Sequence, residues 1–255
     1  FSILIDKPID FKGDITGRIA KDCHTSDKIN YDALAGENKI TNKFIENCLS
    51  AKSEKPLVVF SGDSHTLTTF PISEIVVSES RFDVFSHSRA GCSFPAQSVT
   101  SRKNCFEVQS SVAQKMLEEI KNRNKGSVMV ATSYLNVYFG YDGAHRCEFK
   151  KYPNCSKKSV DNNLLDFINA SKKLASELNN ANSSLILVSP LPQHPSFTPE
   201  LCSSQWFRPL ISENCYKTDK EFLLKQRKRI VEAINELAME VNNIYIFDPF
   251  NKFCD

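Results

Sequence analysis

Short apolar runs that do not alternate with polar residues recur along this chain, and each is separated from the next by a stretch of helical spacing. The runs are Leu57-Val-Val-Phe60, Phe82–Phe85, Ser127–Ala131, Leu185-Ile-Leu-Val188 and Asn243–Phe247. A strand without alternation has no face to show to water, so it belongs in a sheet covered on both sides. Between the runs, apolar residues return every third or fourth position. Residues 106–122 carry Val108, Val112, Met116, Leu117 and Ile120. Residues 161–179 carry Leu164, Leu165, Ile168, Leu174, Ala175 and Leu178. Residues 219–242 carry Leu223, Ile230, Ile234, Leu237, Ala238 and Val241. Each set makes one stripe on a helix. Strand and helix in alternation predict an α/β fold of three layers, α/β/α, with a doubly wound, mostly parallel, five-stranded sheet.

With 255 residues and 41% hydrophobic content the chain can fill one fair-sized core. Thirty-two Lys and Arg against thirty Asp and Glu leave a formal charge of +2, which sets up no field for nucleic acid. No apolar run approaches the roughly 18–20 residues that a membrane-spanning helix requires. Residues 1–50 are polar and lack periodicity, so they are read as an irregular lead-in or linker packed on a domain spanning 51–255. Phe1 stands where an initiator Met would be, and nothing after it has the pattern of a signal peptide. The expectation is a piece of a longer protein.

Nine cysteines favour an oxidising compartment over a set of buried free thiols. No C-x-x-C occurs, so zinc-knuckle spacing is absent and no metal site is expected. Taken as neighbours they pair locally, Cys23 with Cys48, Cys92 with Cys105, Cys147 with Cys155 and Cys202 with Cys215. Eight cysteines allow 105 pairings, so spacing alone does not decide the connectivity. Cys254 is left over, which points to a partner beyond the sequence in hand.

Open parallel sheets hold ligands outside the carboxyl ends of their strands. The polar residues that stand out here follow strand ends: Gly62-Asp63-Ser64-His65, the loop from Arg89 to Pro95 with Gly91, and Asn136. Serine is a weak nucleophile until a base takes its proton and donors hold the oxyanion formed on attack. A strand-to-helix turn suits Ser64, because free N–H groups gather at a helix start. The plainer role for Asp63 or Ser64 is a helix cap.

On these blocks the sequence resembles the SGNH hydrolase superfamily, and more narrowly the SGNH domain fused to integral-membrane acyltransferases of the acyltransferase-three family. The resemblance rests on Gly62-Asp63-Ser64-His65, Gly91-Cys92-Ser93-Phe94-Pro95 and Val188-Ser-Pro-Leu-Pro192. It extends to Cys202 through Cys215 around Trp206-Phe-Arg-Pro209, and to Asp248-Pro-Phe-Asn-Lys-Phe-Cys254-Asp255. It implies a flavodoxin-like fold, Ser64 as nucleophile and oxyanion donor through its N–H, and Gly91 and Asn136 as further oxyanion donors. It also implies O-acyl transfer, acetyl above all, to a cell-surface polysaccharide, on the periplasmic face of a bacterial membrane. The partner would be an amino-terminal membrane acyltransferase domain of the same polypeptide. Acetyl-CoA would be the ultimate donor, not bound by this domain.

Two departures from the family pattern matter. Tyr134-Leu-Asn-Val137 lacks the Gly and Asp of the usual Gly-x-Asn-Asp, which leaves Asn136 open to a plain loop role. The Asp-x-x-His that supplies the family's base is absent, and Asp255 ends the sequence. The resemblance implies that the base follows the residues in hand. Of the five histidines, His65 neighbours the nucleophile but is expected to point away from it, and His194 lies beyond the fourth strand. His24, His87 and His145 are read as loop or surface residues.

Other features have blander readings. Lys225-Gln-Arg-Lys-Arg229 is read as a solvated helix face, with contact to acidic glycan or lipid as the lesser alternative. Trp206 is read as a loop anchor ahead of a sugar platform. The Asn154, Asn169 and Asn182 glycosylation patterns are expected by chance in so Asn-rich a chain. Two alternatives to acyl transfer stay open: a carbohydrate O-acetyl esterase, and a glycan-binding or structural domain without catalysis.

Overall fold

The structure is a computed structural model, and it describes residues 24–25, 54–69, 72–73, 75–76, 81–88, 92–95, 105–123, 126–133, 135, 139, 157–191 and 219–253. Strands are β1 (His24–Thr25), β2 (Leu57–Gly62), β3 (Asp83–Ser88), β4 (Val128–Thr132), β5 (Ser184–Val188) and β6 (Ile244–Phe247). Helices are α1 (Cys105–Lys121), α2 (Lys157–Asn179), α3 (Lys220–Glu240) and a terminal turn, α4 (Phe250–Phe253). A 3₁₀ helix, Ser64–Thr69, follows β2 directly. All strand pairs are parallel, in the order β1-β3-β2-β4-β5-β6. This is the predicted α/β architecture, with one addition. His24–Thr25 extends the sheet by pairing with Ser86 and His87, and a two-residue strand in a polar stretch leaves no periodicity to read. The rest of residues 1–50 lies outside the described residues.

Every residue of β2 is buried, as a central strand requires. Its side chains divide by parity: Leu57 and Val59 enter the larger core, Val58 and Phe60 the smaller. Val112, Met116, Leu117 and Ile120 of α1 pack in the larger core. So do Leu164, Phe167, Leu174, Ala175 and Leu178 of α2, and Ile230, Ile234 and Leu237 of α3. The three long helices therefore share one face. Chirality explains this: from β3 onward the connections step in one direction across the sheet, and right-handed crossovers then fall on one side. The step from β2 to β3 runs the other way, so its connection lies on the opposite face. There Ile72, Val76 and Phe82 pack on Val58, Phe60, Val84, Val130 and Val188. The described part of this second layer is a short turn rather than a long helix.

Polar ties hold the ends. Arg123, beyond α1 and almost wholly buried, pairs with Asp83 at the start of β3 and donates to the Lys55 carbonyl at 3.1 Å. Asn243 Nδ2 donates to the Ala175 carbonyl at 2.7 Å and the Ser183 carbonyl at 3.1 Å, joining α2, β5 and the turn into β6. Asn182 takes φ 50° in the turn after α2, a conformation Asn tolerates better than most side chains.

Candidate active site

The order of strands places the switch point at β2 and β4, whose following connections leave in opposite directions; a ligand crevice opens there in folds of this kind. Gly62 ends β2 and pairs with Thr132 at the end of β4. A Cβ on Gly62 would lie 1.6 Å from the Thr132 carbonyl oxygen, so only glycine lets the two strand ends meet. Asp63 follows, 1% exposed. Its Oδ1 accepts from the His65 N–H at 2.8 Å, and its carbonyl accepts from the Thr66 N–H at 3.1 Å. Asp63 thus caps the 3₁₀ helix, the plain role its position suggested. Thr66 Oγ1 then donates to the Thr132 carbonyl at 3.4 Å, and Thr69 Oγ1 to the Thr66 carbonyl at 2.6 Å. These bonds set the backbone of Ser64, the first residue of the 3₁₀ helix, at the carboxyl end of the central strand.

A second loop reaches the same edge. Cys92, Ser93 and Phe94 are buried. The Phe94 N–H donates to Ser133 Oγ at 3.0 Å, and Ser133 Oγ donates to the Phe94 carbonyl at 3.3 Å. One hydroxyl just past β4 therefore clamps the loop that begins at Gly91. The Phe94–Pro95 peptide is cis. Cys92 is disulfide-bonded; its partner and the remaining cysteine side chains lie outside the described residues. The third loop starts as the Leu135 N–H donates to the Ser133 carbonyl at 2.8 Å.

The three loops that carry Ser64, Gly91 and Asn136 are therefore joined through Gly62, Thr132, Ser133, Phe94 and Leu135. Gly91, Asn136 and the side chain of Ser64 lie outside the described residues, as do His145, His194 and Trp206. Two histidine expectations change. His87 is no loop or surface residue: it sits in β3, wholly buried, because the strand runs three polar residues past the apolar pattern to Ser88. His24 belongs to β1. His65, with a side chain 27% exposed, brings Nδ1 to 3.4 Å from Asp63 Oδ1.

A shallow hollow, open to solvent, lies at this edge. Its lining comes from His65 after β2, Thr132, Ser133 and Leu135 at β4, and Val188, Ser189, Pro190 and Leu191 at β5. The hydroxyls of Thr132, Ser133 and Ser189 were not singled out in the sequence. Their one signal was position, a hydroxyl residue at each strand end. Among the described residues no group of His, Cys, Asp and Glu could hold a metal ion, and no helix is long and apolar enough to cross a membrane.

The basic cluster on α3 is solvated at Lys225 and Lys228, as expected of a helix face, and departs from that reading at Arg227. Arg227 is buried, pairs with Asp248 at 2.6 Å and stacks 4.6 Å over the Phe250 ring. Arg229 pairs with Asp161 of α2, and Lys228 lies 3.8 Å from Glu232. Asp248 Oδ1 also accepts from the Phe250 N–H at 3.0 Å, which starts α4.

No curated protein sequence matches the chain. The solved periplasmic domain of a lipopolysaccharide acetyltransferase from Salmonella ser. Paratyphi A is 12% identical with a TM-score of 0.49, covering 96% of this chain and 83% of its own. A GDSL-like lipase from Bacteroides thetaiotaomicron is 11% identical with a TM-score of 0.39, covering 89% and 80%. A family model described as the SGNH domain fused to AT3 domains matches residues 22–255. That match takes in nearly the whole chain, and with Gly62-Asp63-Ser64 at the end of the central strand, the chain belongs to the SGNH domain family found fused to AT3 domains.

Proposed function

We propose that this domain transfers an acyl group, acetyl in particular, to a hydroxyl of a cell-surface polysaccharide through an ester on Ser64. The observation that carries the reading is the Gly62-Asp63-Ser64 turn, capped by Asp63 and wedged against Thr132 at the sheet's switch point. In this reading Ser64 Oγ attacks the donor carbonyl, and the carbonyl oxygen gains negative charge. The N–H groups of Ser64 and Gly91 and the Asn136 amide hold that charge, and a histidine oriented by an aspartate takes the serine proton. The adduct collapses as the bond from the acyl carbon to the donor's leaving atom breaks, and that atom takes the proton from the histidine. The acceptor sugar hydroxyl then gives its proton to the freed base and attacks the ester, the acyl–Oγ bond breaks, and the serine oxygen takes that proton back, which restores Ser64. Attack by water instead would make the domain an esterase, so the two outcomes share one intermediate.

Membership in a family fused to AT3 domains supports a membrane acyltransferase part that delivers the acyl group, with acetyl-CoA consumed there and not by this domain. An extracytoplasmic, periplasmic setting fits the nine cysteines and the disulfide at Cys92. In that setting the pairs are Cys23–Cys48, Cys92–Cys105, Cys147–Cys155 and Cys202–Cys215. The test is labelling of the full-length protein with a fluorophosphonate, followed by intact mass. One adduct is expected, absent from Ser64→Ala; equal labelling of both proteins refutes the serine reading.

A further inference from the structure

The loops of the site are tied to β4 in different ways, and the difference singles out Ser133. The Ser64 turn rests on the β4 main chain: Gly62 pairs with Thr132, and Thr66 Oγ1 donates to the Thr132 carbonyl at 3.4 Å. The loop that begins at Gly91 hangs instead on a side chain. Ser133 Oγ accepts from the Phe94 N–H at 3.0 Å and donates to the Phe94 carbonyl at 3.3 Å. Those two groups belong to the peptide units on either side of Phe94, so one oxygen fixes two consecutive peptide planes. The Ser133 carbonyl accepts from the Leu135 N–H at 2.8 Å, one residue before Asn136. A single residue therefore holds both loops that would supply the further oxyanion donors.

The hydroxyl is committed to this task. Ser133 is 8% exposed and its one proton lies on the Phe94 carbonyl, which leaves none to give to a substrate. Cys92, Ser93 and Phe94 are buried, Cys92 is disulfide-bonded, and Phe94 packs in the larger core. Ring burial and the disulfide fix where this run lies, while the Ser133 bonds fix how its peptide planes turn. Gly91 is joined to the run by one peptide bond. A donor aimed at developing charge must be held closely, because a misplacement of about 1 Å can cost on the order of 100-fold in rate.

We propose that Ser133 is a positioning residue that aims the Gly91 N–H at the oxyanion and keeps it in step with the Asn136 amide. This deepens the acyl-serine reading and rests on it. The full-length protein is reacted with a fluorophosphonate and adduct formation is timed by intact mass over a range of probe concentrations. In that reaction Ser64 Oγ bonds to phosphorus, fluoride leaves, the serine proton goes to the base, and the phosphoryl oxygen takes the place of the oxyanion. Ser133→Ala is expected to lower the maximal rate about 10- to 100-fold while moving the half-saturating concentration less than about threefold. Ser133→Thr keeps the hydroxyl and should restore most of the rate. Asn243→Ala also removes two hydrogen bonds, but at the amino ends of β5 and β6, and should react as the parent does. If Ser133→Ala does not fold, Ser133→Cys should show the same loss, since a thiol is close in shape but a weak hydrogen-bond partner. Amide exchange gives a readout that does not involve the nucleophile: in a Ser64→Ala background, the Phe94 N–H should exchange faster once Ser133 is replaced by alanine. The proposal is overturned by a parent-like maximal rate in the Ser133 variants that lack the hydroxyl, by an equal loss in Asn243→Ala, or by a loss confined to half-saturation. Threonine no better than alanine, or unchanged exchange at Phe94, also overturns it. An unreactive parent, or an equal adduct in Ser64→Ala, removes the serine reading and this proposal with it. A reactive parent that depends on Ser64 but is indifferent to Ser133 removes the proposal alone.

Discussion

Gly62→Ala is the substitution for which the structure gives the clearest magnitude. The new methyl carbon would stand 1.6 Å from the Thr132 carbonyl oxygen, 2.6 Å from the carbonyl carbon and 2.7 Å from Thr66 Oγ1. Thr66 could rotate away, but the Thr132 backbone belongs to β4 and can yield only if the ends of β2 and β4 separate. Restoring ordinary contact means parting them by about 1.5–2 Å, in the range where overpacking a close-fitted site costs about 1–3 kcal/mol. The separation also strains the Gly62–Thr132 pairing and breaks the Thr66–Thr132 bond, together about 2 kcal/mol. The expected loss is about 3–5 kcal/mol, a large share of the ~5–15 kcal/mol typical of a folded domain. Gly126→Ala is the control, because Gly126 has φ +97° but nothing within 4 Å of a Cβ. It should cost about 1–2 kcal/mol from backbone conformation alone. Urea melts in one redox state, followed by circular dichroism, should then place Gly62→Ala about 1 M or more below Gly126→Ala. Because Ser64 is two residues on, fluorophosphonate labelling of Gly62→Ala should fall even where the protein remains folded. Equal midpoints for the two variants would refute the close-approach account of this turn.

Two further predictions concern stability away from the site. Arg123→Met leaves Asp83 without its cation and the Lys55 carbonyl without its donor, and should cost about 2–4 kcal/mol by urea melting; a loss below about 0.5 kcal/mol would make the pair incidental. Asn243→Ala removes both donors that tie α2 and β5 to the β6 turn, so it should cost about 1–2 kcal/mol. In the same variant, amides of β6 should exchange faster than those of β2, whereas uniform exchange would show that the tie is not local.

The strands and helices were legible because their apolar residues keep a period. Unbroken runs marked β2, β4, β5 and β6, and the stripes on α1, α2 and α3 proved to be the larger core. What escaped was set by partners rather than by pattern. His87 is buried by its neighbours in β3 although Ser86, His87 and Ser88 read as polar loop. The Arg227 guanidinium is buried because Asp248 and Phe250 meet it from 21 and more residues away, and a run of basic residues gives no hint which member turns inward. At the site, Gly62-Asp63-Ser64 was readable because its turn needs those residue types. Thr132, Ser133 and Ser189 were not, since hydroxyl residues at strand ends are common and only the sheet order brings these three to one hollow.

In the proposed reaction Ser64 carries the acyl group between donor and acceptor. Acid quenching the full-length protein during turnover with an isotopically labelled acetyl donor, then sequencing its peptides by mass spectrometry, looks for that ester itself. The prediction is labelled acetyl on Ser64, lost on addition of acceptor glycan and never formed in Ser64→Ala. Transfer to glycan that continues in Ser64→Ala, with no acylated serine in either protein, would contradict it.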